Sequence, residues 1–349
     1  MTKLTYKNVH NKFKLNGFHF NKEDLCRVAY SYIKEGNDYE KPIGSFFLDW
    51  FDDKSYMNIT TSGTTGEPKI IQVQKQAMVN SALATGDFFE LKSGDRALNC
   101  LPVKYIAGKM MFVRAFILGL DMDFVAPSSN PMKRNHNIYD FVAMVPLQVE
   151  NSLLQLHQIK KLIVGGVKMS VDLEKKIIKS KCNAFETYST TETVTHIAAK
   201  RVGENSFTAL PTISISQDDR LCLVISAPDL YAENIVTNDI VELLSDNKFI
   251  WLGRQDNVIN SGGIKLIPEQ IEAKISDKIT NRFFVAGISD EKLGEKLILF
   301  IEGNPFELES SLFDDLDKYE KPKEIKFIPH FEETETGKIK RNEVVASFL

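Results

Sequence analysis

Short apolar runs alternate with helix-like patterns over the first part of the chain. Residues 161–164, KLIV, end in an apolar run and are typical of a buried strand, and Ser170 is a suitable N-cap for the helix that follows. Residues 56–59 are a second predicted strand, and residues 110–120 form an apolar helical segment. This alternation predicts an α/β fold with a mostly parallel sheet in a large N-terminal domain.

The pattern changes in the second part of the chain. Residues 221–225 and 240–244 indicate strands of a β-rich subdomain, and a polar interruption follows at residues 253–257. The segment beyond it predicts a small α+β domain with these elements: a glycine turn at residues 262–263, a helix from Pro268, strands at 283–288 and 296–302, another helix, and a strand at 325–328. We place the boundary at Asp256, which gives an N-terminal domain of residues 1–256 and a mobile C-terminal domain of residues 257–349.

Composition narrows the possible partners and location. The chain has 349 residues, a net charge of -4 and four widely spaced cysteines without a C-x-x-C pair. The charge gives no reason to expect binding to nucleic acid. No apolar run approaches the ~20 residues of a membrane span, so we expect no membrane anchoring. Reduced thiols and the polar N-terminus favour a cytoplasmic location.

Residues 60–69, TTSGTTGEPK, are the most informative segment. Its two glycines permit positive φ angles, so successive N–H groups can point at one anion. Five hydroxyls add donors and Lys69 adds charge, which suits a polyphosphate. The segment lacks the spacing of a Walker A loop. By composition alone, a flexible surface loop is an equally good interpretation.

This segment resembles the phosphate loop of the AMP-forming adenylating superfamily, which includes acyl-CoA synthetases, aryl–CoA ligases, luciferases and the adenylation domains of peptide synthetases. Four further segments resemble other motifs of the superfamily in the expected order: 188–193 (YSTTET), 237–239 (TND), 253–257 (GRQDN) and 334–341 (TETGKIKR). The resemblance extends from about residue 56 to the end. The segment before the phosphate loop is shorter than in most members, so we expect a shortened N-terminus and an altered wall of the acid pocket.

The resemblance implies roles for individual residues. The ATP ligands would be Thr61, Ser62, Gly63, Thr64, Thr65, Gly66, Lys69, Gly165, Gly166, Tyr188, Asp239 and Arg254. The catalytic residues would be Lys338, Thr191 and Glu192, with Glu192 as the Mg²⁺ ligand; Asp256 would be the hinge; and Gly262, Gly263 and Lys265 would contact coenzyme A. The chain departs from the motifs at Ser189 and Asn238, which replace glycine, and at Asn257, which replaces aspartate.

The implied activity is that of an AMP-forming acid–CoA ligase using ATP, Mg²⁺ and coenzyme A. In the superfamily one site forms an acyl-adenylate and then a thioester, and the small domain rotates between the two steps. We therefore expect Lys338 to serve the first step, and residues 262–265 to face the site in the second. A stand-alone adenylation module that loads a carrier protein is an alternative.

The acid itself is less well defined. Residues 101–109 resemble the Leu-Pro-x-x-His-x-x-Gly segment near the acyl site, with Tyr105 in place of histidine and Lys104 beside it. An aromatic ring with a neighbouring cation suits an aromatic acid that bears a second carboxylate, and His196 offers another polar contact. These features resemble the o-succinylbenzoate–CoA ligases of menaquinone synthesis. Tyr105 as a core aromatic, His196 as a buried histidine, and another aryl or fatty acid as substrate are the alternatives. A small carboxylic acid is the expected partner, and a homodimer is one of the oligomeric states left open.

Overall fold

The computed structural model describes residues 4–60, 70–190, 192–193, 195–334 and 339–348. The chain divides into two compact units. The first comprises Met1–Ile215 and Ile225–Ile235, and the second comprises Ser216–Val224 and Val236–Leu349. This division by contacts differs from the predicted boundary at Asp256. That boundary concerns where a mobile domain pivots, and it stays a prediction.

Helices and strands alternate in the first unit. Its helices are α1 (Lys22–Glu35), α2 (Lys41–Phe51), α3 (Lys75–Phe88), α4 (Ile106–Leu118), α5 (Pro146–Asn151) and α6 (Val171–Ser180), with a 3-10 helix at Leu153–Gln158. Its strands are β1 (Lys14–Leu15), β2 (Phe18–His19), β3 (Tyr56–Thr60), β4 (Ile70–Gln74), β5 (Arg96–Asn99), β6 (Asp121–Phe124), β7 (Tyr139–Met144), β8 (Ile159–Val164), β9 (Ala184–Tyr188), β10 (Ala198–Arg201) and β11 (Ser206–Ala209), and β12 (Ser214–Gln217) follows at the end of the unit.

The second unit is rich in strands. They are β13 (Cys222–Ser226), β14 (Ile235–Leu243), β15 (Lys248–Arg254), β16 (Ile259–Ser261), β17 (Ile264–Leu266), β18 (Phe283–Asp290), β19 (Gly294–Glu302) and β20 (Glu324–Ile328). Its helices are α7 (Pro268–Ile275) and α8 (Arg341–Phe348), with 3-10 helices at Gln255–Asn257 and Ser310–Phe313. None of the described helices is both long and apolar enough to cross a membrane.

The first unit is built on a mostly parallel sheet, as predicted. Its strand order is β11-β10-β9-β8-β7-β5-β6-β1-β2. Every pair from β9 to β1 is parallel, and the antiparallel pairs lie at the two ends. Parallel strands need crossover helices on both faces of the sheet. Accordingly, Phe141 and Ala143 of β7 belong to one apolar cluster, and Val142 and Met144 belong to the cluster on the other face.

The helix signals in the sequence correspond to real helix ends. Ser170 caps α6, because its side chain accepts a hydrogen bond from the backbone N–H of Leu173 at 3.2 Å. Helix α4 is apolar on nearly all sides and is buried. It ends at Gly119, whose φ of 73° is left-handed. The local predictions for α4 and α6 are therefore confirmed.

The second unit contains a five-stranded sheet in the order β17-β16-β19-β18, with β20 parallel to β19. Helix α7 covers it and buries Ile271 and Ile275 in the core. The helix predicted between residues 302 and 325 is wrong, because only the 3-10 turn Ser310–Phe313 forms there. The acidic residues Asp314, Asp315 and Asp317 follow directly, and carboxylates are unfavourable at the C-terminal end of a helix.

Candidate active site

Two predicted site segments lie at the carboxyl edge of the parallel sheet in the first unit. Gly165 and Gly166 follow directly after β8, and Tyr188 is the last residue of the adjacent strand β9. The Tyr188 ring is buried, and its centre lies 5.8 Å from that of Phe207. Open α/β sheets bind ligands at this edge. The structure therefore brings the glycine pair and the tyrosine to one place.

The glycine pair leaves the end of β8 bare. A Cβ atom at Gly165 would lie 2.6 Å from Oγ1 of Thr187. That hydroxyl is fixed because it donates to the carbonyl of Val164 at 3.2 Å. Gly166 has a φ of +98°, which residues with side chains rarely adopt. Backbone without side chains is the surface that a flat ring needs for close approach.

Glu192 lies in the turn after β9, and its side chain is exposed. The Thr193 hydroxyl accepts from the N–H of Thr190 at 2.8 Å and donates to the carbonyl of Thr190 at 3.0 Å. The Tyr231 hydroxyl donates to the carbonyl of Thr193. These bonds fix the turn while the Glu192 carboxylate faces solvent. A carboxylate oxygen is a ligand that Mg²⁺ prefers, so Glu192 fits the predicted metal role.

Several predicted site residues lie outside the described residues. They are Thr61, Ser62, Gly63, Thr64, Thr65, Gly66 and Lys69 of the phosphate-loop segment, together with Thr191 and Lys338. The phosphate-loop segment connects β3 to β4, two antiparallel strands in which Thr60 pairs with Ile70. The roles of these residues stay predictions.

The predicted ribose ligand and the predicted hinge residue belong to one polar network in the second unit. The Trp251 Nε1–H donates to Oδ1 of Asp239 at 3.0 Å, and Nη1 of Arg254 lies 3.7 Å from the same oxygen. Nη2 of Arg254 lies 2.5 Å from Oδ2 of Asp256. The Asn238 amide donates to Oδ1 of Asp256 at 3.1 Å. Asn238 thus makes a hydrogen bond that glycine, the usual residue of the motif, could not make.

The predicted coenzyme A contacts lie on a hairpin of the second unit. Gly262 and Gly263 form the turn between β16 and β17, with φ angles of +60° and +81°. The Gly262 N–H donates to the carbonyl of Leu293 at 2.8 Å, and Lys265 is exposed on β17. The turn presents bare backbone next to a cation, which is compatible with a phosphorylated ligand. The assignment itself stays a prediction.

The residues predicted for acid binding make different contacts. Lys104 is exposed, and its Nζ lies 5.5 Å from the centre of the Tyr105 ring. Lys104 lines a cleft with Tyr39 and Phe124. His196 is buried, and within the described part of the chain no hydrogen bond or ring contact joins it to Lys104 or Tyr105. The assignment of these three residues to the acid stays a prediction.

Sequence reasoning missed Arg114, which contacts His196. Nη2 of Arg114 lies 3.4 Å from Nδ1 of His196, and Nε2 of His196 lies 3.4 Å from Oγ1 of Thr85. Burial lowers the pKa of Arg114 to about 10, and burial, followed by the charge of Arg114, holds the pKa of His196 well below 6.5. At neutral pH the pair is therefore a cation beside a neutral imidazole. The signal in the sequence was one arginine inside the apolar run at residues 110–120.

Arg114 has unused hydrogen-bonding capacity. Its Nε–H is buried and has no hydrogen-bond partner among the described residues. Its Nη1 contacts only the weak acceptor Sδ of Met111, at 3.7 Å. Within the same residues no carboxylate lies within salt-bridge distance of the guanidinium. A buried cation normally has an anionic partner, so Arg114 is suited to receive one.

A small apolar cleft includes Met110 and Thr195, which are near this pair in the sequence. It is lined by Val73, Ala77, Met78, Met110, Thr195, Leu230 and Tyr231. Met110 and Arg114 are four residues apart on α4 and therefore share a face of the helix. Thr195 precedes His196 and accepts a hydrogen bond from Ser81 at 3.3 Å. The lining is therefore mostly apolar, with the side chains of Thr195 and Tyr231 as its polar members.

The comparisons with known proteins agree with this architecture. The AMP-binding enzyme family matches residues 49–216. The crystal structure of an acyl-CoA synthetase (AMP-forming)/AMP-acid ligase II-like protein from Dyadobacter fermentans is 35% identical, covers 93% of this chain and 98% of its own, and has a TM-score of 0.62.

Two more distant relatives carry more specific names. The 2-succinylbenzoate–CoA ligase of Lactococcus lactis is 25% identical over 86% of this chain and 73% of its own length. The o-succinylbenzoate CoA synthetase (MenE) of Bacillus subtilis, solved with the acyl-adenylate intermediate OSB-AMP, is 20% identical over 82% of this chain and 68% of its own, with a TM-score of 0.71. At that identity the Bacillus structure supports the fold alone.

A parallel sheet with a bare glycine pair and an aromatic ring at its carboxyl edge is the usual ligand-binding arrangement of an open α/β fold, and the family match over residues 49–216 makes the ligand a nucleotide. The 35% identity to the Dyadobacter protein over nearly the full length of both chains specifies the class further. The chain belongs to the AMP-binding enzyme family, among the AMP-forming acyl-CoA synthetases.

Proposed function

We propose that this chain is an AMP-forming 2-succinylbenzoate–CoA ligase. It would join the acid to the α-phosphate of ATP, release pyrophosphate, and then transfer the acyl group to the thiol of coenzyme A with release of AMP. Relatives named for this reaction support the proposal, among them the proteins of Lactococcus lactis and Listeria monocytogenes. The free cysteines support a reducing, cytoplasmic location. The homodimer expected from the sequence stays a prediction.

The observation that carries the proposal is the buried Arg114 beside the neutral His196. A second carboxylate distinguishes 2-succinylbenzoate from simple aryl and fatty acids. Burial of a carboxylate is costly unless a cation or several donors meet it. The unused Nε–H of Arg114 supplies such a donor, and the mostly apolar side chains around Met110 lie on the same face of α4.

In the first step two anions must approach each other, because the carboxylate attacks the α-phosphorus. The proposed roles of Lys338, Thr191 and the phosphate-loop N–H groups are to stabilise the charge that develops on the phosphoryl oxygens. Mg²⁺, which Glu192 would hold, supplies Lewis-acid stabilisation of the phosphates. Tyr188 and the Gly165–Gly166 pair would hold the adenine ring, and Asp239 and Arg254 would orient the ribose.

In the second step the thiol of coenzyme A attacks the acyl carbonyl and AMP leaves. Gly262, Gly263 and Lys265 would contact the coenzyme A arm. Asp256 would be the pivot of a rotation between the two steps. In this rotation Lys338 would leave the reacting atoms and these three residues would approach them. The chain would thereby carry out both half-reactions with one set of nucleotide ligands.

The test is a comparison of kcat/KM across acids at saturating ATP and coenzyme A, measured by pyrophosphate release. We expect 2-succinylbenzoate to exceed benzoate, medium-chain fatty acids and free amino acids by about 10–100-fold, the range for hydrogen bonds to a charged group at ~1.5–3 kcal/mol. Preference for a monocarboxylic acid would reject the substrate. AMP release that needs an added carrier protein in place of coenzyme A would indicate an adenylation module.

A further inference from the structure

The segment that contains Lys338 has a fixed base in the second unit. Glu333 and Ile339 form an antiparallel bridge, and the N–H of Lys340 donates to the carbonyl of Glu332 at 2.8 Å. Residues 332–333 and 339–340, on either side of this segment, are therefore held side by side. Any residue that anchors this base also influences where Lys338 can reach.

Arg341 follows the base directly, at the first position of α8. Its Nη2 donates to Oε2 of Glu272 at 2.8 Å, and its Nη1 lies 3.7 Å from Oε1 of Glu269. The guanidinium also lies over the ring of Phe284, 5.5 Å from its centre. Both carboxylates belong to α7 and are almost fully buried, with side chains 6% and 13% exposed. The arginine thus attaches the base of the lysine segment to α7.

Glu269 continues this connection to the predicted hinge. Its Oε1 accepts a hydrogen bond from the side-chain amide of Asn257, the residue after Asp256. A Cβ atom at Gly253 would lie 2.5 Å from Oε2 of Glu269, so the carboxylate packs against the backbone just before the hinge. The asparagine has a specific consequence here. Its amide donates to Glu269, whereas an ionised aspartate would place a second carboxylate beside the first.

We propose that Arg341 is a positioning residue for Lys338. Through Glu269 and Asn257 it fixes residues 339–340, which follow Lys338 directly, relative to the predicted hinge, so that a pivot at Asp256 moves the attachment point of Lys338 together with α7. The proposal rests on the role of Lys338 in adenylation that is proposed above. Arg341 itself needs no contact with ATP or with the acid.

The charge balance of the cluster explains why arginine is needed. One guanidinium faces two buried carboxylates, and its planar fork can serve both at once. Burial raises the pKa of Glu272, and the neighbouring Arg341 opposes that rise. A lysine at this position would keep the charge but could bond only one carboxylate well. We therefore expect Arg341→Lys to recover part of the activity that Arg341→Met loses.

The experiment measures the two half-reactions separately in Lys338→Ala, Arg341→Met and the double variant. Arg341→Met should slow adenylation by about 10–100-fold, the scale for misplacing a catalytic group, and leave thioester formation from supplied acyl-adenylate within about twofold. In the Lys338→Ala background the same substitution should change adenylation by less than about threefold, because a residue that acts only through Lys338 has nothing left to position.

Lys340→Met is the matched control. It removes the neighbouring cation, whose ion pair with Glu343 is partly exposed, and both half-reactions should stay within about twofold. Independent losses in the double variant, or equal losses in both half-reactions of Arg341→Met, would overturn the proposal. If Arg341→Met does not fold, Arg341→Lys and Asn257→Ala test the same double-variant relation. A Lys338→Ala enzyme with normal adenylation would instead reject the role of Lys338, independently of Arg341.

Discussion

At the scale of single residues, the acid site depends on which buried groups carry charge. His196 is held neutral by burial and by the adjacent Arg114, while Arg114 keeps its charge at neutral pH because its pKa, about 10, is still high. The single positive charge of Arg114, next to the neutral imidazole of His196, can attract one carboxylate. In the proposed acid site this combination would select for an acid with a second carboxylate more strongly than the exposed Lys104 could, because solvent screens exposed charges.

Arg114→Gln should therefore raise KM for 2-succinylbenzoate by about 10–100-fold, since one charge-assisted hydrogen bond is worth ~1.5–3 kcal/mol. KM for ATP should change by less than about twofold. The KM of Arg114→Lys for 2-succinylbenzoate should lie between that of the wild type and that of Arg114→Gln. The matched control is Arg96→Gln. Arg96 is the first residue of β5 and therefore lies away from the carboxyl edge of the sheet, and its Nη2 lies 2.8 Å from Oδ2 of Asp123. Equal losses with benzoate and 2-succinylbenzoate would contradict the assignment.

At the scale of secondary-structure elements, the predicted hinge residue Asp256 lies in a short 3-10 turn between two strands. The turn at Gln255–Asn257 follows β15 directly, and Arg254 and Asn238 hold the Asp256 carboxylate. The φ angle of a 3-10 turn, about -50 to -70°, is the angle that proline enforces. A proline at this position should therefore preserve the present conformation and prevent others.

Asp256→Pro should leave one half-reaction within a few fold of wild type and slow the complete cycle by about 100-fold or more, since the transition between states is then blocked. Asp256→Ala is the control. It removes the same carboxylate but leaves the backbone free, so the cycle should slow far less. The measurements are pyrophosphate release, thioester formation from supplied adenylate, and overall turnover. Normal overall turnover of Asp256→Pro would show that the pivot lies elsewhere.

Local signals in the sequence predicted most elements but not their contacts. The strand predicted at residues 161–164 is the core of β8, and the predicted helix start at Pro268 is the first residue of α7. Such signals depend on neighbours in the chain, such as a cap or an apolar run. The contact between Arg114 and His196 joins residues 82 positions apart. It depends on how α4 packs against the segment before β10, which no local pattern encodes.

At the scale of the whole molecule, the chain divides the predicted nucleotide ligands between its two compact units. Gly165, Gly166 and Tyr188 belong to the first unit, whereas Asp239 and Arg254 belong to the second. Each unit also has its own apolar core. Unfolding is therefore best followed for each unit separately. The two tryptophans of the chain allow this, because Trp50 is buried in the first unit and Trp251 lies in the second.

As the pH is lowered from 6.5, the free energy of unfolding of the first unit should decrease because of His196. The folded pKa of this histidine lies well below its ordinary value of 6.5 because of burial and Arg114. Below that pH the unfolded chain binds a proton that the folded chain excludes. The contribution of His196 to the free energy of unfolding is therefore constant above pH 6.5. It is lost as the pH falls toward the folded pKa, and the free energy of unfolding then decreases by up to ~1.4 kcal/mol per pH unit.

The measurement is urea unfolding at several pH values between 5 and 8, followed by Trp50 fluorescence in a Trp251→Phe background. Carboxylates also change protonation in this range, so the comparison is with the same protein carrying His196→Asn. The unsubstituted protein should lose about 1 kcal/mol more than the His196→Asn protein between pH 6.5 and pH 5.5. Parallel pH dependence of the two proteins would mean that His196 accepts a proton in the folded state. In that case the acid site would hold two cations below neutral pH, and the preference for a dicarboxylate should increase as the pH is lowered.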